Sequence, residues 1–135
     1  MNRFFRYWFP LILYCMAIIS VSVAFTPPAS IARTIGDKPL HFMEYGLLAL
    51  LATRALRSGA GLRRQWAWLA AVAFCFAVGG VDELVQHLNP ARKSEWLDLA
   101  ADVAGGLAGA TLYVALKLLQ GRVAGTKRAG KASGN

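Results

Sequence analysis

Three short polar clusters interrupt an otherwise apolar sequence. They are Asp37-Lys38-Pro39-Leu40-His41-Phe42-Met43-Glu44-Tyr45, Asp82-Glu83-Leu84-Val85-Gln86-His87 and Asp98-Leu99-Ala100-Ala101-Asp102, with Arg92 between the last two. Carboxylates and imidazoles in such numbers could hold a cation, move a proton or ligate a metal. Arg92 could fork a phosphate or carboxylate. The spacing adds direction. His41, Glu44 and Tyr45 stand at i, i+3, i+4 and share a helix face, as do Glu83, Gln86 and His87. Asp98, Asp102, Gly105 and Gly109 form a further stripe with Gly106 beside it. Small residues four apart let helices approach closely in lipid.

Several chemistries are open to these residues. If Glu44, Asp82, Glu83 and Asp102 lie in one layer, they cannot all be ionised without help, so some are expected to be protonated, salt-bridged or metal-bound. Lys38 and Arg92 are nearby cations. Glu83 and His87 could chelate a metal from one helix, but there is no HExxH, and the other ligands would have to converge from separate helices. No tightly bound metal and no cofactor is therefore expected. Acid–base chemistry on a headgroup would use Glu83 or Asp82 with His41 or His87. It lacks an obvious nucleophile, since Cys15 and Cys75 lie in apolar runs elsewhere. The residues fit binding better than catalysis, and no catalytic residue is assigned.

The elements that must position these clusters are written in the hydropathy. Of the 135 residues, 56% are hydrophobic and 16% charged, with a mean hydropathy of +0.43. Soluble domains carry about 25% charge, so neither an ordinary soluble domain nor a disordered chain fits. Four apolar stretches, Trp8–Phe25, Pro39–Leu56, Trp66–Leu88 and Leu97–Leu119, stand out. At ~1.5 Å per residue each matches the ~30 Å hydrocarbon core of a bilayer, the shorter two marginally. Alternation of period two is absent, which excludes a barrel. Thr26-Pro27-Pro28, Gly59-Ala60-Gly61 and Asn89-Pro90 break the chain between the stretches. The expected fold is all-α, a four-transmembrane-helix bundle over residues 1–120. Residues 121–135 form a basic tail without apolar periodicity, expected to be disordered. Ser22-Val23-Ala24 could pass for a signal-peptide cleavage site, but the preceding apolar run is longer than the usual 7–15 residues, roughly.

The net charge of +8 is explained by its distribution. Arg3, Arg6, Arg54, Arg57, Arg63, Arg64, Lys117, Arg122, Lys127, Arg128 and Lys131 fall on one side of the four spans with no acid. All seven acids fall on the other, with Arg33, Lys38, Arg92 and Lys93. The positive-inside rule puts both termini in the cytoplasm, and no nucleic-acid partner is needed. Tyr7, Trp8, Trp66, Trp68 and Trp96 sit at span ends, as interfacial anchors do. Glu44, Asp82, Glu83 and Asp102 then lie roughly 8 Å in from the outer ends of their spans, with His41, His87 and Asp98 shallower. Ionisable groups at such depth default to function.

At these residues the chain resembles the VanZ-like family of small bacterial membrane proteins. The likeness lies in Asp37-Lys38-x2-His41-Phe42-x2-Tyr45, Asp82-Glu83-x2-Gln86, Pro90-x-Arg92 and Asp98-x3-Asp102-x2-Gly105, covering roughly residues 37–110. The resemblance implies a multi-pass protein of the bacterial plasma (inner) membrane, in a family whose namesake is linked to low-level teicoplanin resistance. Many relatives carry Asn where this chain has Asp102. The resemblance further implies membrane lipid as a partner and, at the outer face, a lipid-linked cell-wall precursor or glycopeptide; it names no protein partner. A non-enzymatic envelope protein is the leading expectation. The alternatives are an enzyme acting on a lipid-linked headgroup and a helical scaffold of a membrane complex.

Overall fold

The computed structural model describes residues 2–24, 37–87 and 96–132. They form four long helices: α1 (Arg3–Ala24), α2 (Asp37–Arg54), α3 (Arg64–His87) and α4 (Trp96–Ala132). No strand occurs among the described residues. Pro39 sits in the first turn of α2, where its missing N–H is not needed. At its other end α2 runs directly into a π-helical turn, Ala55–Gly59. The chain then reverses through Gly61, whose φ of 76° is open to glycine at little cost.

Among the described residues, three helices are long and apolar enough to cross a membrane: α1 over Arg3–Val23, α3 over Arg64–Val85 and α4 over Trp96–Gly125. Large apolar side chains such as Phe9, Met16, Phe76, Leu84, Leu112 and Leu119 are exposed along them. The expectation of four comparable apolar spans needs adjusting at α2, which carries Asp37, Lys38, Glu44 and Arg54 within 18 residues. The packing shows how such a helix is accommodated. It buries His41, Tyr45, Leu48, Ala49, Ala52 and Thr53 against its neighbours.

The tightest seam joins α2 to α4. A Cβ on Gly105 would run into the Phe42 carbonyl, and one on Gly109 into that of Gly46. The two backbones therefore touch, which gains dispersion contacts and Cα–H···O interactions that larger residues would prevent. Gly106, on the adjoining face of α4, packs on Cys75 of α3. The α3 stripe beneath it is Ala67, Ala71, Cys75 and Val78, all buried. Trp68 Nε1 donates to Thr111 Oγ1 at 3.0 Å and ties α3 to α4. From the other side, α1 docks on α2 through Leu11 and Ile18, with Tyr14 Oη donating to the Glu44 carbonyl at 3.3 Å.

At its C-terminal end α4 continues as helix to Ala132, through the basic segment that follows Gln120. Once a helix is nucleated, each added residue gains a hydrogen bond, and the Arg, Ala and Lys residues of this segment are good helix formers that offset Gly121, Gly125 and Gly130.

Candidate functional site

Chain direction brings the three polar clusters to one end of the bundle. Helices α2 and α4 begin there and α3 ends there. On α2 the buried stripe opens with His41 and Tyr45; on α4 it opens with Asp98 and Asp102. On α3 the small-residue stripe reaches the same level at Gly79 and Asp82, both buried.

At the centre lies Asp102, fully buried, with Oδ1 2.9 Å from His41 Nδ1. This bond directs the Nδ1 proton to the carboxylate and fixes the imidazole orientation. The other oxygen, Oδ2, lies over Gly79, where a Cβ would come within 2.7 Å of it. Any residue larger than glycine at position 79 would press on the carboxylate. The His41 and Tyr45 rings lie parallel, with centroids 6.5 Å apart. At the rim, half-exposed Lys38 reaches buried Asp98 at 3.4 Å. Asp102 is within electrostatic range of His41, Asp82 and Asp98, and Tyr45 within range of Asp82, Asp102 and Glu44.

Not all of this polarity is satisfied inside the bundle. Tyr45 Oη and Asp102 Oδ2 are buried and have no hydrogen-bond partner among the described residues. Leaving a buried polar atom unsatisfied costs about 1–3 kcal/mol. Atoms of this kind are where a water or a ligand group is accommodated.

The candidates from the sequence are not placed equally. His41, Tyr45, Asp82, Asp98 and Asp102 come together as a buried group, with Lys38 at its edge. Glu44 and Glu83 are partly buried at its margins. His87 is exposed. Inward orientation on α3 belongs to Asp82, which continues Ala71, Cys75 and Val78. Arg92 and the side chains of Asp37 and Gln86 lie outside the described residues. Among the described residues, no group of three or more His, Cys, Asp or Glu is arranged to hold a metal ion. Two contributors escaped sequence reasoning. Gly79 makes room for Asp102, and Cys75, buried with its Sγ 3.8 Å from the Tyr45 carbonyl, supports Tyr45 from below. The i, i+4, i+7 relation of Cys75, Gly79 and Asp82 was the available signal.

The arrangement can recognise a polar group by hydrogen bonds and by charge. Among the described residues it presents three buried aspartates, a phenol and an oriented imidazole, with Lys38 at the rim. Such a balance favours a ligand carrying a protonated amine or several hydroxyls over an anion.

Comparison with known proteins extends the likeness beyond the polar clusters. The family model described as VanZ/LLP1 matches residues 4–118, from the first turn of α1 into the second half of α4. No match is found among curated proteins or among solved structures.

Proposed function

This chain belongs to the VanZ/LLP1 family, and from that premise we propose that it is a multi-pass protein of the bacterial plasma membrane whose buried acid–histidine–tyrosine cluster binds a cell-envelope ligand. The ligand is an amine- or hydroxyl-bearing headgroup, such as that of a lipid-linked cell-wall precursor, reached from the outer leaflet. Through it the protein affects glycopeptide susceptibility. One observation carries this reading: three helices converge their ionisable residues on one buried point, yet Asp102 Oδ2 and Tyr45 Oη have no partner among the described residues. Structural glue alone would need a single interhelical hydrogen bond, worth about 0.6 kcal/mol on average in a membrane. Four buried ionisable side chains (His41, Asp82, Asp98 and Asp102) at one end of the bundle exceed that need.

Native mass spectrometry of gently extracted protein tests the proposal. Wild type should retain a precursor lipid that Asp102→Asn loses, with the helical content unchanged. Equal retention by both proteins would remove the carboxylate from the binding account. A second reading, chemistry on the same headgroup, is favoured by the His41–Asp102 pair, which orients an imidazole as a general base requires. Turnover of a lipid-linked precursor by the purified protein, lost on Glu83→Gln or His41→Ala, would favour it over binding.

The proposal also fixes an orientation, with both termini inside and the cluster facing outward. Cysteines introduced near Arg57 should resist an impermeant thiol reagent added outside the cell, and those near Ser94 should react. The opposite labelling pattern would place the cluster in the inner leaflet and remove envelope ligands from consideration.

A further inference from the structure

At the end of the bundle opposite the acid cluster lies a cleft of about 670 Å³, bounded by the end of α2, the π turn, the start of α3 and the middle of α4. Its size is that of small-molecule sites, about 300–1,000 Å³. Its lining includes Arg57, Arg64 and Lys117 with no acid, and the hydroxyls of Thr53, Ser58 and Tyr113. Val114 and Leu118 supply an aliphatic wall along α4.

The cleft is built by the π turn, a helix form rare in proteins and frequent at functional sites. The turn is held from both sides. Gly59 is pressed against Tyr7 and Trp8 of α1, so closely that a Cβ would lie 2.9 Å from Trp8 Nε1. Arg3 donates to the Ser58 carbonyl at 3.1 Å, and Arg54 stacks over the Tyr7 ring at 5.0 Å. On the α4 side, Ser58 Oγ and Tyr113 Oη are hydrogen-bonded at 3.1 Å. Arg57 is steadied by donating one Nη1 bond to the Leu62 carbonyl at 3.2 Å, a contact that uses only part of its guanidinium fork. Thr53 Oγ1 donates to the Ala49 carbonyl at 2.7 Å, so the hydroxyl pair of Ser58 and Tyr113 is what joins the cations and the aliphatic wall on one concave surface. The positive-inside rule accounts for basic residues on this side of the membrane, but not for their meeting hydroxyls in a pocket.

We propose that this cleft is a second binding site, for a phosphate-bearing group on the cytoplasmic side. A guanidinium and an ammonium bind phosphate by charge-assisted hydrogen bonds. The wall of Val114 and Leu118 offers a place for the first methylenes of an acyl chain if the phosphate belongs to a lipid.

The test uses full-length protein with two probes, phosphatidylglycerol in nanodiscs against a phosphatidylcholine background, and inorganic pyrophosphate in solution. Retained lipid is read by native mass spectrometry and bound pyrophosphate by calorimetry. Arg57→Gln and Arg64→Gln should each weaken binding roughly tenfold, the effect of losing one charge-assisted hydrogen bond. Val114→Trp, which fills the cleft and leaves every cation in place, should abolish binding with helicity and thermal unfolding unchanged. Arg122→Gln, beyond the cleft, should leave it as in wild type. Phosphatidylglycerol retained and undisturbed by pyrophosphate assigns the site to a lipid headgroup; pyrophosphate binding that displaces lipid assigns it to a soluble phosphate. Binding of neither probe overturns the site. So does a loss on Arg122→Gln equal to that on Arg57→Gln, which would mark general surface charge, or retention by Val114→Trp.

Discussion

Replacing Asp102 by Ala should destabilise the bundle by about 3–5 kcal/mol, the range for removing one partner of a buried charged pair. Asp102 is fully buried and accepts from His41 Nδ1 at 2.9 Å, so its loss strips a buried imidazole of that partner. Asp102→Asn should behave very differently. The amide keeps the size and one acceptor oxygen toward His41, and it removes a negative charge from a site already holding Asp82 and Asp98. Its stability should lie within about 1.5 kcal/mol of wild type, the difference between a hydrogen bond to a charged group and a neutral one, with relief of repulsion from Asp82 and Asp98 acting in its favour. Thermal unfolding in detergent reads both values. A double-mutant cycle with His41→Ala isolates the pair, with an expected coupling of about 1.5–3 kcal/mol for a hydrogen bond to a charged group. An Asp102→Ala protein as stable as wild type, or a coupling near zero, would mean that the pair holds nothing together. The Asn variant separates structure from function, because it keeps the fold and discards the charge that the proposed ligand would meet.

Much of this site was legible from spacing. His41 and Tyr45 at i, i+4 and Asp98 and Asp102 at i, i+4 are buried together on α2 and α4, the orientation that periodicity implies for acids with no place in lipid. On α3 the sequence was ambiguous. Asp82 and Glu83 are adjacent, so only the neighbouring core decides which of them points inward. That core is Ala67, Ala71, Cys75 and Val78, residues small enough that hydropathy scarcely distinguishes their face from the exposed one of Leu69, Phe76 and Leu84. Bulk lies outward here and smallness inward, as in membrane bundles generally.

The basic end was harder to read for a different reason. Arg54 to Gly61 looks like a helix end followed by a glycine-rich loop, and an extra residue in a helical turn leaves no compositional mark. Ser58 and Tyr113 are 55 positions apart, so their hydroxyl contact depends on how α2 and α4 are aligned. The arginines there satisfied the topology rule, which left no unexplained charge to draw attention to a cleft.

That alignment rests on the glycine seam, which yields the second large effect. Gly109→Ala should lower stability by about 1–3 kcal/mol, the usual range for overpacking, and Gly109→Val by more. The added methyl would meet the Gly46 carbonyl, a backbone atom of a helix that cannot rotate aside as a flexible side chain can. The helices must separate, and separation forfeits contacts along the whole α2–α4 face, including Gly105 on Phe42. Gly80→Ala provides the contrast, since nothing lies within 4 Å of a Cβ there. It should be neutral or stabilising by up to about 1 kcal/mol, through helix propensity alone. Thermal unfolding of the pair distinguishes a steric seam from a general intolerance of changed glycines. A seam that sets helix spacing must also set the site, because His41 lies on α2 and Asp102 on α4. In a Gly109→Ala background the His41–Asp102 coupling energy should therefore fall, although position 109 is about two helical turns from Asp102. Undiminished coupling would show that the polar cluster holds its own geometry, with the glycines serving packing alone.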